Sequence, residues 1–356
     1  MRRFAVATLC LLAGFGTAVA QLPAGHPVIP DTAPAPADGL KQAIDQGPKG
    51  ILAIRAVQGT KGGPEPAGDE VEIIFLHRDT PVQQVKAQLD EHGLAMVPDV
   101  PVSLGLTPLV RVKHGGVLYQ DAGKTMDAAN PNVSLDVLVF ETTEQEPAWN
   151  VEVRNVMASE IPGVKDKIAV GEVVVVDNPS DQTWLGAPAD AQNRRATVSL
   201  TLAPGATEIV LQAGFHGWCC TEQSGQRLVV QMPLMPGRHT YKFAYRVPIV
   251  QGKTDLRVAN PAPAASSAFL VPTAAMIEPP TVVTEAAPDP NVDGRMFEAS
   301  KVPAGQSVGI VLTGWEDEAG EMPSGTGGTP AYVWILVGAG AVVVGLVAWR
   351  KFAGRG

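Results

Sequence analysis

The stretch HTYKFAYRV, residues 239–247, puts an aromatic ring at every second position, Tyr241, Phe243 and Tyr245, with Lys242 and Arg246 among the intervening residues. A repeat of two is the repeat of a strand with one buried face, because successive side chains leave a strand on opposite sides. Residues 167–177 (KIAVGEVVVVD) form a second long apolar-rich run. Further strand candidates lie at 151–156, 196–202, 208–212 and 227–231. Between them stand Asn178-Pro179, Pro204-Gly205 and Pro236-Gly237, which favour turns. The pattern predicts an all-β chain built from antiparallel β-sandwich domains.

Working outward, short apolar runs at 51–57, 71–77, 109–114 and 133–140 predict a first sandwich over 49–143, and a second sandwich region follows over 148–315. Runs at 268–271, 282–284, 296–299 and 307–313 either complete the second sandwich or form a third. Residues 80–93 read two ways. Thr80-Pro81 can open a helix with Val82, Val85 and Leu89 on one face, or the same residues form a strand ending at Asp90-Glu91-His92-Gly93.

The two ends set the compartment. Residues 1–20 read as a signal peptide, with Arg2 and Arg3, an apolar run and Ala18-Val19-Ala20 as cleavage site. Residues 331–349 (AYVWILVGAGAVVVGLVAW) carry no charge and would make a helix of about 28 Å, close to the roughly 30 Å of bilayer hydrocarbon. Arg350, Lys351 and Arg355 follow in a basic tail, 350–356, which predicts a single-pass type I protein of the bacterial inner membrane with its bulk in the periplasm. Residues 21–48 are rich in Pro and Ala and are expected to be extended, and 316–330 read as a flexible stalk. Small residues Gly338, Ala341, Gly345 and Ala348 form a stripe along the expected helix where a protein partner in the membrane could pack.

The whole chain has 27 basic and 36 acidic residues; without leader and tail, 22 basic residues face 36 acidic ones, a formal charge of −14. Such a surface offers no basic patch for nucleic acid. With three cysteines in all, one of them Cys10 in the leader, a disulfide-rich scaffold is excluded.

Chemistry concentrates in GFHGWCCTE, residues 214–222, where His216 stands three residues before adjacent Cys219 and Cys220. Imidazole and thiolates suit zinc or copper, so these three are the candidate metal ligands, with His26 as an accessory. Adjacent side chains in an extended chain point apart, which opposes a shared metal. The cysteines could instead close a vicinal disulfide, stay free, or cross-link chains. G-x-S-x-G occurs at 305–309, but strand-like residues follow it and the last histidine, His239, precedes it, unlike a nucleophile elbow.

Residues 89–93 (LDEHG), 109–114 (LVRVKH) and 116–119 (GVLY), in that order between strands, resemble carboxypeptidase regulatory-like domains. The resemblance covers about 50–142. It implies a small transthyretin-like sandwich, the strand reading of 80–93 with its end at the turn 90–93, and no catalysis. Residues 174–179, 202–206 and 236–241 resemble membrane-anchored exported proteins that carry such a domain, and 22–30 (LPAGHPVIP) resemble exported bacterial proteins linked to c-type cytochromes. The expected function is a non-catalytic, membrane-anchored binding or scaffold protein without a cofactor. The alternative is a thiol- or metal-handling protein assisting cytochrome or copper assembly.

Overall fold

The computed structural model describes residues 47–102, 105–191, 194–288 and 292–314. The signal peptide, extended segment, stalk, membrane helix with its small-residue stripe, and basic tail lie outside the described residues, as does His26. Among the described residues there is no helix, and the chain is all-β.

The first sandwich has seven strands: β1 (Lys49–Gln58), β2 (Glu70–His77), β3 (Thr80–Gln88), β4 (Leu94–Pro101), β5 (Thr107–His114), β6 (Val117–Ala122) and β7 (Asn132–Val139). They form a three-stranded sheet, β4-β1-β7, facing a four-stranded sheet, β3-β2-β5-β6. Alternation decides the inward set: Leu52, Ile54 and Ala56 on β1 meet Val71, Ile73 and Phe75 on β2 and Val110 and Val112 on β5. Residues 80–88 are a strand. Arg78 and Asp79 take φ of 48° and 65°, and His77 faces Thr80, so the two residues make the type I′ hairpin that a right-twisted ribbon prefers. Pro81 is tolerated because β3 lies at a sheet edge.

After β8 (Thr142–Thr143) in the connecting segment, the second unit has β9 (Asn150–Glu160), β10 (Lys167–Asn178), β11 (Thr183–Trp184), β12 (Val198–Thr201), β13 (Thr207–Ala213), β14 (Thr221–Ser224), β15 (Arg227–Val230) and β16 (Gly237–Pro248). After these come β17 (Lys253–Asp255), β18 (Val258–Ala259), β19 (Ala264–Val271), β20 (Met276–Ile277), β21 (Thr284–Glu285), β22 (Arg295–Val302), β23 (Ser307–Val308) and β24 (Val311–Thr313). One seven-stranded sheet, β13-β16-β10-β9-β19-β22-β21, runs through the unit. Because β19 pairs with β9, the run beyond residue 250 completes this sandwich and does not form a third. Tyr241, Phe243 and Tyr245 all point into the core, where short sheets β12-β15-β14, β17-β24-β20 and β18-β23 supply the opposing apolar residues. Pairing is mostly antiparallel, as expected; the pairs β1/β7, β9/β19 and β8/β11 are parallel.

The units are tied together. β8 of the connecting segment pairs with β11, Lys61 N donates to Asp181 at 2.9 Å, and Arg195 reaches Glu144 at 2.7 Å. Tyr119 donates to the Phe140 carbonyl at 2.8 Å and lies 2.7 Å from the Thr183 hydroxyl. Leu185 and Met235 of the second unit pack on the first core.

Candidate functional site

The segment between β13 and β14 is fixed from below and open above. Phe215 is buried, its ring centroid 5.2 Å from that of Tyr241 and 6.0 Å from that of Phe243. Gly214 has φ of 85°, and a Cβ there would collide with the Thr240 carbonyl, so only glycine lets the chain cross β16 this closely. Beyond the anchor the chain turns: Cys220 N donates to the Gly217 carbonyl at 3.4 Å and Gln231 N donates to the Cys220 carbonyl at 2.9 Å. Trp218 is 53% exposed, Cys219 is exposed and Cys220 is half-buried.

This turn overrides the opposed directions of an extended chain. Sγ of Cys219 and Sγ of Cys220 lie 3.0 Å apart, both as free thiols. Cys219 also donates to the His216 main-chain carbonyl at 3.2 Å. Burial pushes the Cys220 thiol up to about 11, and the adjacent Cys219 sulfur adds to the effect. Arg194 holds Asp190 at 2.8 Å and Glu222 at 2.5 Å, so the carboxylate two residues beyond Cys220 is already engaged by a guanidinium.

The other expected features fall as follows. No group of three His, Cys, Asp or Glu side chains suited to a metal occurs among the described residues; the structure brings the two thiols together but reaches His216 through its backbone oxygen. Ser307 of G-x-S-x-G sits in β23 paired with Ala259, and no helix follows in the described chain. His77 and His114 lie at opposite ends of the β2/β5 pair, since Leu76 faces Thr107 and Glu70 faces Lys113. His114 instead touches Asp69 at 2.7 Å and Glu141 at 3.0 Å.

A second exposed feature did not stand out in the sequence. Four of the nine exposed large apolar side chains among the described residues, Ile51, Leu94, Met96 and Leu138, lie on the outward face of β4-β1-β7. Register explains the grouping: Ala53 faces Met96 and Ser134, Arg55 faces Leu94 and Asp136, and Val57 faces Leu138. Met96 is 62% exposed, while the Arg55–Asp136 ion pair crosses the middle of the face. Beside it opens a cleft of about 900 Å³ between the units, lined by Val57, Asp121, Leu138 and Arg238 among others. Alternation in residues 51–57 pointed to a strand, but nothing in a single strand reveals that its outer residues meet Met96.

Sequence reading also passed over the buried ion pair of the second core. Arg154 Nε donates to Glu172 at 2.7 Å, with Arg154 0% and Glu172 1% exposed. Tyr245 donates its hydroxyl proton to the same carboxylate at 2.5 Å, and the Ala259 and Thr201 carbonyls accept from the guanidinium. Desolvation raises the Glu172 pKa, with Arg154 and Tyr245 opposing. The available signal was one acidic residue on the inward parity of an apolar strand, between Val170 and Val174.

No protein-family model matches the chain, and no curated protein matches it. Among solved structures, the full-length major pilin SpaD from Corynebacterium diphtheriae aligns over 60% of this chain and 62% of its own, at 12% identity and TM-score 0.21. An M1 zinc metallopeptidase from Deinococcus radiodurans aligns over 47% of this chain and 42% of its own, at 12% identity and TM-score 0.25. For BcpA, the major pilin subunit of Bacillus cereus, the shares are 72% and 86%, with 9% identity and TM-score 0.18. The chain thus spans less than two thirds of the length of the first two. Likenesses this loose fix neither family nor role.

Proposed function

We propose that this protein is a non-catalytic binding or scaffold protein of the bacterial envelope, anchored by residues 331–349 with its bulk on the periplasmic side. In this reading the first sandwich is a carboxypeptidase regulatory-like domain of transthyretin type, a reading supported by its seven strands in sheets of three and four within the region of resemblance. The observation that carries the proposal is the apolar outward face of β4-β1-β7, continuous through Ser134 and Asp136 with the cleft beside Arg238. Exposed apolar surface gathered on one face, with a charged pair for orientation, fits recognition of an apolar protein segment. The links between the sandwiches support a rigid platform, and the expected stalk would hold a captured partner near the membrane.

Site-specific photo-crosslinking in intact cells tests this. A photoreactive residue at Met96 is expected to give a discrete adduct with one partner, whereas the same probe at Leu118, an exposed residue on β6, is not. Identical products from both positions, or none from Met96, would remove the support.

A further inference from the structure

The paired thiols do no work in a scaffold, yet the fold goes to some length to present them. Phe215 pins the loop in the core, Gly214 permits the crossing, and the turn at 217–220 brings two side chains that would diverge in a strand to within 3.0 Å at the sulfurs. The pair is unequal. Cys219 faces solvent beside exposed Trp218, and Cys220 sits half-buried behind it.

We propose that Cys219 and Cys220 form a stoichiometric thiol–disulfide exchange site, with Cys219 meeting an incoming disulfide and Cys220 completing the exchange. Cys219, as thiolate, attacks one sulfur of a disulfide R–S–S–R, forming a mixed disulfide and releasing the first R–S⁻, which takes a proton from solvent. The Cys220 sulfur then gives up its proton, attacks the Cys219 sulfur and expels the second R–S⁻. The protein loses two protons and two electrons, the incoming disulfide becomes two thiols, and a ring closes between adjacent residues. The geometry favours this order: Cys219 is exposed to an incoming disulfide, and the half-buried Cys220 holds its sulfur 3.0 Å away, within reach of the mixed disulfide.

The ring is expected to be readily reversible. Consecutive Cα atoms lie about 3.8 Å apart, against about 4.4–6.8 Å for most disulfides, so closure strains the turn and makes the product easier to reduce. Trp218, immediately before the pair, offers an apolar contact to a protein or peptide disulfide.

Equilibration of the full-length protein in detergent with glutathione buffers from fully reduced to fully oxidised, followed by acid quench, alkylation and mass analysis of the peptide carrying residues 219–220, tests the site. Wild type is expected to pass between a doubly alkylated form and an unalkylated form two hydrogens lighter, with little glutathione adduct. Cys220→Ser is expected to trap glutathione on Cys219, and Cys219→Ser to form its adduct at least tenfold more slowly. Two alkylatable thiols persisting in wild type at the oxidised end, or a wild-type adduct as abundant as in Cys220→Ser, would overturn the proposal.

Discussion

The two sandwiches bury different things. Inside the first, strands β1, β2 and β5 contribute an apolar set, and the phenol of Tyr119 reaches out of it to the junction with its neighbour. Inside the second, an arginine, a glutamate and a tyrosine hydroxyl share one buried network in the middle of an otherwise apolar core. The exposed surfaces reverse the pattern. The first sandwich leaves an apolar sheet face in solvent, whereas the large sheet of the second also buries Met157, Ala169, Val173 and Ala244 on the face away from its main core. A sheet covered on both faces serves as frame, and a sheet covered on one face has the other available for recognition.

The buried pair offers the largest way to break this contrast. Glu172→Ala leaves the Arg154 guanidinium without its counter-charge and should cost about 3–5 kcal/mol. Arg154→Met with Glu172→Leu should cost far less, since a well-packed apolar replacement avoids desolvating two ions. Denaturant unfolding followed by tryptophan fluorescence isolates the effect, because Trp149 and Trp184 lie in the second core and the first sandwich has no tryptophan. Equal losses in the single and double variants would show that the site needs its charges for another reason.

Next in size is Tyr119→Phe. Removing the hydroxyl that joins Phe140 to Thr183 should cost about 1–2 kcal/mol and loosen the junction, so that the sandwiches unfold in two transitions. A single undisturbed transition would assign the coupling to the remaining ties, the β8/β11 pairing, the Lys61–Asp181 bond, the Arg195–Glu144 ion pair and the packing of Leu185 and Met235.

The smallest effect concerns pH. His239 on β16 donates from Nε2 to the Met235 carbonyl at 2.7 Å, and burial lowers its pKa from the ordinary 6.5 while that bond and nearby Asp177 act against the shift. The unfolded chain therefore takes up the proton first. The contribution is fully present above about pH 6.5 and is lost as pH falls through the depressed folded value. The unfolding midpoint of wild type should drop relative to His239→Gln below pH 6.5, and parallel curves would exclude this histidine as the cause.

The fold was legible where one face of a strand is apolar and the other polar. Tyr241, Phe243 and Tyr245 read correctly because a period of two is a local property of the chain. Residues 80–88 were ambiguous locally because the hairpin turn is made by Arg78-Asp79 and not by an Asn-Gly signal. The unity of 148–315 was hidden because β19 joins β9 across more than a hundred residues, a pairing that no short window contains. The site divides in the same way. The adjacent cysteines are plain in the sequence; that they share one side is not, since it depends on the Phe215 anchor and the turn at 217–220. The outward face of β4-β1-β7 is a product of register, assembled from β1, β4 and β7.

That face carries the central claim, and the most direct test adds a second substitution to the crosslinking experiment. With the photoreactive probe at Met96, Leu138→Asp should abolish the adduct while leaving the unfolding midpoint nearly unchanged, because Leu138 is exposed and supports no core. An adduct of undiminished yield in a folded Leu138→Asp protein would contradict the account.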